Sequence, residues 1–107
     1  MEEIQTLREQ INEIDRELVR LYEKRMGVCR SVGLFKKAHN LPVLDAERER
    51  KVLESKCALV EEPTLKPDVM ALFEQIMAQS RRLQSKIIGG STPAKEHAYR
   101  EYRAALA

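Results

Sequence analysis

Residues 3–38 read EIQTLREQINEIDRELVRLYEKRMGVCRSVGLFKKA, with no proline to interrupt them. Apolar residues recur at alternating steps of three and four: Ile4, Leu7, Ile11, Ile14, Leu18, Leu21, Val28, Val32 and Phe35. That spacing is the one-sided stripe of a long helix. One seam position breaks it, Arg25. A guanidinium keeps its charge and is costly to bury without an anion, so the seam predicts something negative meeting Arg25 inside the fold.

Length turns this helix into a statement about assembly. It spans roughly 54 Å at 1.5 Å per residue, whereas a compact domain of 107 residues is only about 35 Å across. The helix overshoots its own domain. Its far end carries a seam that the remaining residues can hardly cover, which predicts a partner chain, most simply in an intertwined homodimer.

The rest of the chain continues in helices. The first helix should stop in Ala38-His39-Asn40-Leu41-Pro42, where Asn40 suits the left-handed cap and Pro42 forbids continuation. A second helix is expected from the N-cap Asp45 to about Val60, with Ala46, Glu49, Leu53 and Val60 facing inward. After a connector, Pro67 opens a third helix that runs to about Ile88 and ends at Gly89-Gly90. Its core stripe is Val69, Leu72, Phe73, Ile76, Met77, Ser80, Leu83, Gln84 and Ile87. No strand-like alternation or internal repeat interrupts this, so the fold class is all-α. Thr92-Pro93 followed by Tyr99, Tyr102 and Leu106 reads as a short fourth helix, a frayed tail or a linker.

Composition narrows the function. The net charge of +2 comes from 19 basic and 17 acidic residues that are finely interspersed, which makes a solvated surface rather than a nucleic-acid patch. No apolar run is long enough to span a bilayer, and Met1-Glu2-Glu3-Ile4 is unlike a signal peptide. Cys29 and Cys57 lack CxxC spacing and read as reduced thiols, so a cytoplasmic location is expected. His39 and His97 have no companions at metal-ligand spacing, Ser80 has no patterned His base, and no phosphate-binding glycine loop occurs.

Several polar residues nevertheless fall on apolar faces. Ser80 and Gln84 are one turn apart and converge, either as site groups or as a back-bonded hydroxyl and a Gln near a helix end. Asp45, Arg48 and Glu49 sit at i, i+3 and i+4, readable as a cap with first-turn charges or as hydroxyl-binding groups. Arg25 and Lys36 are eleven residues apart, about 20° from superposition, so both reach toward one volume. Arg8 lies roughly 25 Å upstream of Arg25 and about 100° around the helix, so it reaches such a volume only from a second copy. Gly33, and less plainly Gly27, would admit close approach of a helix or ligand.

Taken together, Leu7-Arg8, Ile14-Asp15, Lys24-Arg25, Gly33 with Lys36, Leu41-Pro42-Val43, Asp45 with Arg48-Glu49, and Ser80 with Gln84 resemble the all-helical chorismate mutase family. The resemblance covers residues 4 to about 88. It implies a three-helix mutase domain over residues 1–88, a tail over 89–107, and a homodimer without cofactors that rearranges chorismate to prephenate for phenylalanine and tyrosine synthesis. By matching position, Arg25 and the partner copy's Arg8 would bind the substrate carboxylates, with Ser80 and Arg48 assisting. Glu49 and the Asp45 region would hold the ring hydroxyl, and Lys36 and Gln84 would donate to the ether oxygen. The tail permits fusion to, or association with, another enzyme of the pathway. Two other readings compete: the family's lyase branch, which removes pyruvate from isochorismate, and a non-enzymatic helical dimerisation module.

Overall fold

A computed structural model of the chain describes residues 3–89. Helix α1 runs Ile4–Ala38, α2 runs Ala46–Ala58, and α3 runs Lys66–Ile88, introduced by a 3-10 turn at Pro63–Leu65. The expected all-α architecture is present. The tail residues read as a short helix or linker lie outside the described residues.

The stops and starts follow local chemistry. At the end of α1 the Leu41 amide donates to the Lys36 carbonyl (2.9 Å) and Asn40 to Lys37 (3.4 Å), with Asn40 at φ 54°. That pairing closes the last turn with a left-handed residue, and Pro42 then directs the chain away. Asp45 caps α2 by accepting from the Arg48 amide at 3.0 Å. Helix α2 ends at Ala58, slightly short of the expected Val60, and the connector contains the 3-10 turn that was not foreseen. Pro67 lies in the first turn of α3, and Gly89 terminates it at φ 79°.

Helix α3 is the hub: it packs on α1 and on α2, leaving a wedge between them. Helix α3 comes close to α1 at Gly33, where an added Cβ would lie 3.2 Å from both Gln84 Cγ and Ile87 Cδ1. Gly27 has open space around it, so no such role falls to it. Among the described residues the buried large apolar side chains are Val52 and Met77, while Ser80, Gln84 and Ser85 are buried and polar. Expected faces shift accordingly. Val52 turns inward on α2 while Ala46 is exposed, and Leu72, assigned to the stripe of α3, is 51% exposed. Leu72 is exposed because α3 is flanked on two sides only, and Val52 replaces Ala46 because α2 packs mainly on α3, so one narrow face of it is covered.

The seam of α1 is left uncovered. Leu7 is 38% exposed and Ile4 62%, and every residue from 3 to 24 is exposed. The described chain measures 57 × 28 × 25 Å, the long dimension being that of α1 itself, whose 35 residues span roughly 52 Å. Helix α3, with 23 residues, is roughly 35 Å long and reaches only the second half of α1.

Candidate active site

The wedge between α1 and α2, floored by α3, forms an open cleft with a volume of about 540 Å³, within the range of small-molecule sites. Leu21, Val28, Val32, Val43, Val52 and Met77 supply apolar walls. Lys24, Arg25, Lys36, Arg48 and Arg81 bring five cations to it, against the two carboxylates of Asp45 and Glu49. Ser80, Gln84 and Cys29 complete the lining.

Arg25 projects from α1 beneath this space. Its Nη1 donates to Ser80 Oγ at 2.9 Å and approaches Cys29 Sγ at 3.6 Å. Among the described residues it makes no salt bridge, so none of their carboxylates supplies the anion that the sequence demands. Ser80 is thereby placed between two readings. Its hydroxyl bonds back to the Ile76 carbonyl at 2.8 Å, as a helix-internal Ser does, while its oxygen accepts from Arg25. It accepts from the guanidinium without giving up its helix bond.

Eleven residues along the same helix, Lys36 Nζ donates to the Val43 carbonyl at 2.7 Å and to Gln84 Oε1 at 3.2 Å. Gln84 Nε2 donates to the Cys29 carbonyl at 3.1 Å. An ammonium has three N–H donors and an amide nitrogen two, so one donor on each group remains for a ligand. Buried Gln84 is thus fixed at both ends, and its nitrogen is assigned by the need for an oxygen opposite Lys36.

On the other wall, Glu49 is half-buried and Oε1 accepts from Arg81 Nη1 of α3. Asp45 serves as the α2 cap and also borders the cavity. Arg48 reaches the cavity with its guanidinium unpaired among the described residues, and Lys24 does likewise from α1. Seven of the eight expected site residues therefore meet around one space: Arg25, Lys36, Asp45, Arg48, Glu49, Ser80 and Gln84. Arg8 does not line it and stands on the exposed half of α1. Polar groups outside the expected set are Lys24, Arg81, Cys29 and the Val43 carbonyl. Arg81 lies one turn before Gln84 on α3, but that spacing alone does not mark it off from a solvated arginine.

The family model for chorismate mutase type II matches residues 7–85. The chain belongs to that family. This chorismate mutase family chain is similar to the bifunctional chorismate mutase/prephenate dehydratase of Aquifex aeolicus, 33% identical over 103 residues. That match takes in 94% of this chain and 22% of the relative, and so extends past Gly89 into the stretch the family model leaves out. It is also similar to the T-protein of Haemophilus influenzae, 34% identical over 82 residues, or 77% of this chain and 21% of the relative. The chain thus spans about a fifth of the length of these relatives. No solved structure matches it. Among the described residues no helix is long and apolar enough to cross a membrane.

Proposed function

We propose that this chain is a chorismate mutase that rearranges chorismate to prephenate in phenylalanine and tyrosine synthesis, and that it works as an intertwined homodimer in the cytoplasm. The observation that carries the reading is the surplus of three positive charges around one open cleft, where four of the five cations have no carboxylate partner among the described residues. Such a space suits a small dianion. Chorismate has two carboxylates, a ring hydroxyl and an enolpyruvyl ether, and each finds a complementary group. Arg25, steadied by Ser80, takes one carboxylate. The second carboxylate is shared by Arg48 and by Arg8 of the partner copy, which the exposed half of α1 would carry there. Glu49 and the Asp45 region accept from the hydroxyl, and the spare donors of Lys36 and Gln84 meet the ether oxygen.

The rearrangement is a concerted exchange, breaking a C–O bond as a C–C bond forms, so it needs neither a nucleophile nor a proton transfer. It needs the flexible substrate held folded, with donors fixed where negative charge grows on the ether oxygen. The Lys36–Gln84–Cys29 hydrogen-bond chain pre-sets those donors before the ligand arrives. The domain carrying this chemistry covers residues 1–88, and the names of the bifunctional relatives favour a fused or associated enzyme of the same pathway.

The test is direct: loss of chorismate absorbance with accumulation of prephenate supports the assignment. Pyruvate release from isochorismate without any prephenate would move the chain to the lyase branch. Retained function with Arg25, Lys36 and Gln84 all replaced by Leu would leave only a dimerisation module.

A further inference from the structure

Arg81 has a role that the mutase reading does not assign. Helix α2 carries the wall that faces the substrate hydroxyl, yet α2 rests on α3 and makes little contact with α1. The bridges Arg16–Glu13, Arg20–Glu17, Arg50–Glu47 and Arg50–Glu54 each lie within one helix at i, i+3 or i+4 on the surface. Arg81–Glu49 instead joins two helices, and both partners border the cavity, with side-chain exposures of 36% and 23%. A guanidinium held by a carboxylate in partial burial fixes direction as well as distance.

We propose that Arg81 is a positioning residue for the rearrangement: it grips Oε1 of Glu49 and thereby sets Oε2 toward the substrate hydroxyl while pinning α2 as a wall. Resting on the mutase assignment above, this gives Glu49 a divided duty, one oxygen for the scaffold and one for the ligand. Two features separate the pair from ordinary surface charge. It bridges elements 32 residues apart in sequence, and it sits beside the buried Ser80 and Gln84 on α3.

The experiment is a double-mutant cycle on the full chain, read as KM and kcat for chorismate. Arg81→Met should raise KM by about tenfold or more, with a smaller fall in kcat, and Arg81→Lys should recover part of the loss. In a Glu49→Gln background, Arg81→Met should add little, because the group it positions is already altered. Arg50→Met, which removes a guanidinium paired with Glu47 and Glu54 on the outer face of α2, is the control and should leave both constants unchanged. Full additivity of the Arg81 and Glu49 losses would overturn the proposal in favour of direct substrate contact by Arg81. A lowered melting temperature with unchanged KM would overturn it in favour of a purely structural pair. Absence of turnover in the unaltered protein would instead defeat the mutase assignment itself.

Discussion

At the scale of the residue, the site is a set of donors tied to one another. Lys36 and Gln84 share a hydrogen bond of 3.2 Å and are each anchored to a backbone carbonyl. Removing the ammonium in Lys36→Ala should cost kcat about two to three decades and change KM far less, because the lost donor acts mainly on charge that develops in the transition state. Steady-state kinetics on the purified variant checks this. Gln84→Glu should shift activity toward acid: a carboxyl donates only while protonated, and the neighbouring ammonium favours its ionised form, so activity falls as pH rises. An unchanged pH profile would remove the contact with the ether oxygen. Most of this constellation was legible because charged and amide groups interrupted apolar stripes. Arg81 was not, since an arginine next to a turn of polar residues looks solvated until the helix opposite supplies Glu49.

At the scale of the element, sequence and structure agree where local chemistry decides the outcome. Asp45, Asn40, Pro67 and Gly89 act where caps and first turns require them. Agreement weakens where a face is set by neighbours: Leu72 and Ala46 carry the periodicity of an interior but meet solvent, and Val52 takes the inward place on α2. Periodicity ranks the faces of a helix and does not say how many of them find a partner. Gly33 illustrates the positive case, a helical glycine set against α3. Gly33→Ala gains about 1 kcal/mol of helix propensity but pushes a methyl to 3.2 Å from Gln84 Cγ, so stability should change little while kcat falls several-fold. Melting curves and kinetics on the same preparation separate the two effects.

At the scale of the whole molecule, the long dimension of 57 Å and the open seam on α1 bear on assembly. The dimer we propose predicts sedimentation as a two-chain species at micromolar protein, and Ile14→Asp on the exposed stripe should yield monomer with little activity. Arg8→Ala and Lys36→Ala chains, each nearly inactive, should regain activity when mixed and allowed to exchange, because one hybrid site then keeps both groups. No recovery despite proven exchange would take Arg8 out of the neighbouring cavity. Helix length made this assembly legible as an expectation, since 35 residues of amphipathic helix outrun the rest of a 107-residue chain. The orientation of the second copy has no counterpart in sequence, because a seam of aliphatic side chains tolerates more than one crossing.

Under the proposed dimer, the uncovered first half of α1 would also link output to dosage. If a lone chain must borrow another's arm to finish its catalytic chamber, the yield at scarce expression grows as the square of abundance rather than in proportion. Halving such a scarce supply would then quarter the flux, and diluting the protein in a cuvette would silence it before any chain unfolds.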